Sequence, residues 1–206
     1  MCEAEQQFHA FGGSMAGHYD LMNQLSDNQN QVINMGKKQE SQGVLKRAIA
    51  SGTISGLATA AATLVEGKRE TGSFYAPLNA TSHIIWGDEA ARQDSPSLKY
   101  TLTGFLLNHA SAIFWALFYE KLFGRHSAEH DHVNDRIAPA PLAQPILGAA
   151  AVTTAAYVID YHLIPKRFTP GFEKRLPAKS LATIFVTLAI GLAARDLIKA
   201  AGEKRE

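Results

Sequence analysis

Cysteine is nearly absent from this 206-residue chain, which contains one, Cys2. A single cysteine cannot form an intrachain disulfide, and it cannot supply a cysteine-based metal site. Residues 1–30 also lack the basic start and the apolar core of a secretory signal peptide. We therefore expect any membrane targeting to come from later helices of the chain.

The chain also lacks an excess of charge of either sign, since its formal net charge is +1. So small a charge argues against nucleic acid as a partner. The sequence contains no HExxH, Walker, GxSxG or Rossmann motif, and its apolar blocks hold too few carboxylates for a di-iron site. We expect no catalytic residues, and the balance is against an enzyme.

Large apolar residues are scarce in residues 1–43, where the stretch 21–32 is rich in Asn and Gln. Such a segment buries too little apolar surface to offset the entropy that it loses on ordering. The composition predicts a disordered polar tail, or a frayed amphipathic helix that leads into a membrane domain at 44–200.

The rest of the chain contains four apolar blocks. We predict membrane spans at about 48–65, 100–122, 145–163 and 180–197. Charged residues are absent from 48–65, 101–119 and 180–194, so these blocks lack the polar stripe of a soluble amphipathic helix. Their lengths approach the roughly 20 residues that cross a ~30 Å hydrocarbon layer. The pattern predicts an all-α bundle of four transmembrane helices, a multi-pass protein in the lipid bilayer.

Small residues mark the faces on which these helices pack. Gly52 and Gly56 have the spacing that lets helix backbones approach closely in lipid, and Thr183, Thr187 and Gly191 recur at steps of four. We favour packing within one chain, with a homodimer through Gly52 and Gly56 as the alternative.

The loop at 75–90 combines helix-start residues with the apolar sequence Ile-Ile-Trp. It is too short to span the bilayer, and it predicts a short interfacial or re-entrant helix that carries His83 and Asp88. The alternative role for this segment is a plain anchor at the lipid interface.

Polar groups inside the apolar blocks must face protein or water, because hydrocarbon cannot satisfy them. In an up-down-up-down bundle, three separate segments place such groups in one half of the membrane. The predicted buried polar site comprises His83, Asn108, His109, Asp160 and His162. We expect Asp160 to pair with an imidazole or an arginine from another segment; the alternative is that these groups only hold the helices together.

A weaker candidate lies in the loop after the second block, which contains His126, His130 and His132. Imidazole suits zinc, nickel and copper. Loop tracts of this kind bind metal weakly unless other groups orient the ligands.

Three stretches carry a resemblance to known sequences. They are LNATSHIIWG at 78–87, NHASAIFW at 108–115 and the DYHLIPKRFTPGFE segment at 160–173. In these stretches the chain resembles a family of uncharacterised small bacterial membrane proteins with four helices. The resemblance implies a bacterial cytoplasmic (inner) membrane location, which the slight excess of basic residues beside the termini also favours. It implies no activity and no cofactor.

Three functions remain open at this stage. The favoured one is a non-enzymatic module that binds or scaffolds a partner, such as another membrane protein. The second is a membrane site for a metal, haem or quinone, built from His83, His109, Asp160 and His162. The third is a transporter, which with four helices would have to dimerise.

Overall fold

The structure is a computed structural model that describes residues 3–124 and 143–203. Within these residues it consists of helices and connecting turns, with no strand, as the composition predicts. The chain divides into two units, Met1–Gly43 and Val44–Glu206.

Helix α1 covers Glu3–Thr71. No proline precedes Pro77, so no residue removes a backbone donor from this long helix. The backbone of 3–43 belongs to this helix. Apolar side chains in this segment are exposed, including Val32 at 63% and Met35 at 59%.

Three further long helices follow: α4 at Thr103–Leu122, α5 at Ala143–Val158 and α6 at Ala178–Glu203. A π-helical turn extends α4 at its start, and another extends α5 at its end. Among the described residues, four helical segments are long and apolar enough to cross a membrane, which confirms the predicted number. They are Ser26–Thr71, Leu98–Leu122, Ala143–Leu163 and Ala178–Ala201.

The second unit is a four-helix bundle in which α1 packs on α4 and α6, and α5 packs on the same two helices. Gly52 lies against Ile113 while Gly56 lies against His109, so α1 and α4 run antiparallel. The core between the helices contains Trp115, Tyr119 and Leu192. This arrangement leaves two distinct ends. We call the end near Arg47 and Asp196 the termini end, and the opposite one the loop end.

The loop end is covered by two connecting segments. The first contains α2 at Ala76–Thr81 and α3 at His83–Trp86. The sequence predicted one short helix here, but Ser82 separates two, because its hydroxyl and its N–H both donate to the Asn79 carbonyl. All residues of α2 are buried, whereas Ile85 and Trp86 are exposed.

The second connecting segment joins α5 to α6 through short turns at Lys166–Phe168 and Phe172–Lys174. Arg175 donates to the Ala91 carbonyl and pairs with Asp94, and Lys174 pairs with Asp88 at 2.6 Å. Phe172 packs with Leu181 and Ile184 in a second small core. The two connecting segments are therefore bonded to each other and closed over the same end of the bundle.

Candidate functional site

A cavity of about 380 Å³ lies at the loop end of the bundle. Helices α1, α4 and α6 and the π-helical turn at the end of α5 form its sides, and the two connecting segments line it at the loop end. Its polar lining residues are Thr59, Thr81, Asn108, Ser111 and Asp160. Six separate parts of the chain thus meet around one small volume.

The rest of the lining is apolar and rich in aromatic rings. The rings belong to Phe114, Trp115, Phe168, Phe172 and Phe185. Among the described residues that line the cavity, Asp160 carries the only formal charge, and no lysine, arginine or histidine is present. The cavity therefore offers one carboxyl group in an apolar and aromatic setting.

Asn108 is buried between α4 and α1. Its amide donates to the Gly56 carbonyl at 3.1 Å and to the Thr59 hydroxyl at 3.2 Å. Gly56 has no side chain, so the amide can reach the α1 backbone directly. Asn108 thus links two helices, and both of its amide protons are used within the protein.

Asp160 lies half-buried in the π-helical turn Ile159–Leu163 at the end of α5. Its carboxyl group lies beside the Trp115 indole, and both side chains line the cavity. The ion pairs among the described residues do not include Asp160. The expected imidazole or arginine partner is thus not among its contacts in the described part of the chain.

His83 is buried in the loop end and holds the two connecting segments together. Its Nδ1 lies 2.9 Å from the Ala80 carbonyl oxygen and its Nε2 lies 3.5 Å from the Lys166 carbonyl oxygen. Both ring nitrogens therefore contact backbone, and His83 is not in the cavity lining.

His109 faces α1 instead of the cavity. Its Nε2 lies 3.5 Å from the Thr53 hydroxyl, and its ring stacks on Phe105. Its Nδ1 is buried against Gly56 and has no hydrogen-bond partner among the described residues. His162 is exposed beside Tyr157.

The structure therefore brings two of the five predicted site residues, Asn108 and Asp160, to one cavity. It leaves His83, His109 and His162 out of the lining. No three histidine, cysteine or acidic side chains converge anywhere in residues 3–124 and 143–203. The candidate metal residues His126, His130 and His132 lie outside the described residues.

The predicted packing glycines contact other helices of the same chain. A Cβ on Gly52 would lie 2.5 Å from the Ile113 Cα, and one on Gly191 would lie 2.5 Å from the Ser55 Cα. Thr183 is exposed and Thr187 half-buried, and each donates to the carbonyl four residues before it. A step of four residues turns a helix by about 40° more than one full turn, so this stripe drifts from the surface towards the interior.

Sequence reasoning missed a buried ionic cluster at the termini end. Glu120 is 1% exposed and accepts a hydrogen bond from Ser51 at 2.9 Å. Arg47 lies 3.4 Å from it and Arg195 lies 3.7 Å from it.

Beside this cluster, Tyr119 donates to the buried Asp196 at 2.9 Å. The signal that could have revealed Glu120 is its position four residues after Ala116 and eight after Ala112, which places it on the same face of the helix as these two small residues.

Comparison with family models, with curated proteins and with solved structures finds no match to this chain. The resemblance to small bacterial membrane proteins therefore stays a prediction.

Proposed function

We propose that the chain crosses a lipid bilayer four times and acts there as a non-enzymatic binding module. The four long apolar helices support the membrane location. So does the outer surface of the bundle, where large apolar side chains such as Leu106, Val186 and Ile190 are 55%, 58% and 63% exposed. Exposed apolar residues on several long helices are costly in water and favourable in hydrocarbon.

The proposed location is the cytoplasmic membrane of a bacterium, with the termini end on the cytoplasmic side. Two single-cysteine variants in a Cys2→Ser background test it: Glu89→Cys in the first connecting segment and Lys199→Cys near the end of α6, both exposed positions. In spheroplasts, a membrane-impermeant maleimide should label residue 89 at once and residue 199 only after permeabilisation. Labelling of both without permeabilisation, or release of the protein by alkaline carbonate, contradicts the topology.

The cavity at the loop end is the observation that carries the binding function. Its volume of about 380 Å³ lies within the range of roughly 300–1,000 Å³ that is usual for small-molecule pockets. Its lining is mostly apolar with a few polar groups, which is also the usual composition of such pockets. Because the lining comes from α1, α4, α6 and both connecting segments, occupation by a molecule would also stabilise the whole loop end.

The contacts of the histidines weigh against a metal or haem at the predicted polar site. His83 contacts two backbone carbonyls and His109 faces α1, so in the described structure neither imidazole lines the cavity. A quinone needs no metal ligand, so the positions of the histidines do not weigh against it. A transporter that dimerises through Gly52 and Gly56 is disfavoured, since both glycines contact α4 of their own chain.

The binding function is tested by recovering the occupant. The full chain is purified from native-like membranes in mild detergent, and bound small molecules are identified by native mass spectrometry and solvent extraction. Ser111→Phe places a ring in the cavity lining, while Leu106→Phe adds the same ring on an exposed face of α4 outside the lining.

We expect a defined small molecule to copurify with the wild type and with Leu106→Phe, but not with Ser111→Phe. Equal recovery from all three proteins, or no bound molecule in the wild type, contradicts the proposal. Thermal unfolding of each variant checks that Ser111→Phe is folded.

A further inference from the structure

The electrostatics of the cavity indicate which class of molecule it selects. Asp160 is the only formal charge among the described lining residues, and no cationic side chain lines the cavity to offset it. Electrostatic interactions are stronger in a water-poor apolar setting than in bulk water. A positively charged group would therefore gain most by entering, and an anion would be repelled.

The hydrogen-bonding pattern leads to the same conclusion. Both amide protons of Asn108 are donated to α1, and the Thr81 hydroxyl donates to the Pro77 carbonyl at 3.2 Å. The Thr59 hydroxyl donates to the Gly56 carbonyl at 3.1 Å. The donor protons of Thr59, Thr81 and Asn108 are thus used within the protein, so apart from the Ser111 hydroxyl the polar lining presents acceptor oxygens to the cavity. Anions require donors, whereas a cation needs none.

The aromatic rings provide a second attraction for a cation. Five rings line the same cavity as Asp160, and one of them, that of Trp115, lies beside the carboxyl group. The face of an aromatic ring carries a negative quadrupole, and rings grouped around an apolar cavity are the usual recognition surface for quaternary ammonium groups. A carboxylate and several rings together suit a cation whose substituents are themselves apolar.

We propose that the loop-end cavity selects a hydrophobic organic cation, an amine or quaternary ammonium, through Asp160 and its aromatic lining. This inference rests on the proposed binding function of the cavity and names its ligand class. A bilayer concentrates such amphipathic cations, so the ligand can reach the bundle from the surrounding lipid.

The test uses the two tryptophans of the chain. In a Trp86→Phe background, Trp115 alone reports on the cavity through its fluorescence. The probes are benzyltriethylammonium, which is permanently charged, and N,N-diethylbenzamide, which is neutral and of similar size. We expect the cation to bind at least about tenfold more tightly than the amide, because its charge is attracted by the Asp160 carboxylate and by the faces of the rings.

Two sets of variants separate charge from shape. Asp160→Asn keeps the size of the side chain, and we expect it to weaken cation binding about tenfold or more while amide binding stays unchanged. Phe114→Leu removes a ring that lines the cavity. The matched Phe118→Leu removes a ring of similar exposure from the same helix, at a position that does not line the cavity. Cation binding should fall roughly twofold to thirtyfold in the first and stay constant in the second.

The outcomes distinguish this inference from the binding function itself. If the amide binds as tightly as the cation, and Asp160→Asn changes neither, the cavity binds apolar molecules without selecting charge and the inference is wrong. If neither probe binds and no molecule copurifies, both proposals are wrong. If Asp160→Asn does not fold, the comparison of Phe114→Leu with Phe118→Leu decides the question.

Discussion

Gly104 of α4 lies directly against the carbonyl group of Leu78 in α2. A Cβ at position 104 would overlap the Leu78 carbonyl oxygen. This contact holds the buried helix α2 against the start of α4, and Asn79 beside it binds the Gln93 and Ser95 carbonyls and the Thr101 hydroxyl. One side of the cavity therefore depends on a position where only glycine fits.

We predict that Gly104→Ala destabilises the bundle by about 2 kcal/mol or more. Backbone has to move to admit the methyl group, and overpacking of this kind costs roughly 1–3 kcal/mol or above. Thermal unfolding in detergent measures the effect. Gly36→Ala is the control, since no atom lies within 4 Å of its Cβ position and alanine favours helix. Equal melting temperatures for the two variants would show that α2 is free to move.

Substitution of two glycines with positive φ distinguishes the cost of backbone strain from the cost of steric crowding. Gly171 has φ +84° and Gly87 has φ +72°, so alanine is strained at both, by about 1–2 kcal/mol. At Gly171 alone, a Cβ would also lie 2.6 Å from the Ala80 carbonyl oxygen and 2.8 Å from the His83 Nδ1. We expect Gly171→Ala to lower the unfolding free energy by about 1–3 kcal/mol more than Gly87→Ala does. A difference below about 0.5 kcal/mol would argue against a tight contact between the connecting segments.

The ionic cluster at the termini end predicts that removal of its buried carboxylate, that of Glu120, strongly lowers the stability of the bundle. Glu120→Ala leaves Arg47 and Arg195 without their common partner and Ser51 without its acceptor. Breaking a buried pair costs about 3–5 kcal/mol. Because the arginines are 22% and 29% exposed, we expect the lower part of that range or somewhat less. The neighbouring Lys121→Ala, at an exposed position, should change stability little. Similar melting temperatures for both variants would show that Glu120 has no such structural role.

The connecting segments carry a pH-dependent contact. Lys174 donates to Asp88 and, with its charge, holds the pKa of that carboxyl below its ordinary value of 3.8. Because the folded pKa is the lower one, the contact stabilises the fold above pH 3.8, and this contribution is lost as the pH falls through the folded pKa.

An NMR titration of the Asp88 carboxyl carbon in micelles measures this shift. Lys174→Met should return the pKa of Asp88 towards 3.8. Lys179→Met is the matched control, because Lys179 pairs with Glu70 and not with Asp88. An Asp88 pKa that is unchanged in Lys174→Met contradicts the contact.

Much of the architecture was accessible from sequence because it depends on local composition. The absence of charge over 48–65, 101–119 and 180–194 indicated long helices, and the part of the chain that the structure describes contains four that are long and apolar enough to span a bilayer. Gly52 and Gly56 indicated close helix packing from sequence alone. Small residues four positions apart allow another helix to approach closely, and this does not depend on which helix that is.

The choice of neighbours was decided by tertiary structure alone. His83 and His109 look alike in the sequence, as single histidines beside apolar residues, yet one joins two connecting segments and the other faces α1. Asp160 was expected beside an imidazole and lies beside Trp115 instead. The cavity exists because six segments that are distant in the chain leave a gap between them, and the size of such a gap depends on how all the helices pack.

Glu120 shows the same limit from the opposite direction. Glu120 stands next to Lys121 at the end of an apolar block. In the sequence it therefore looks like one of the charged residues that flank a membrane span and are exposed to water. Its burial follows from Arg47 on α1 and Arg195 on α6, which lie more than 70 residues away in either direction along the chain. The sequence by itself determined the helices and their apolar character, because these depend on residues close together in the chain. Which polar groups are buried, and what faces them, was decided only when the helices packed, because burial depends on residues that are far apart in it.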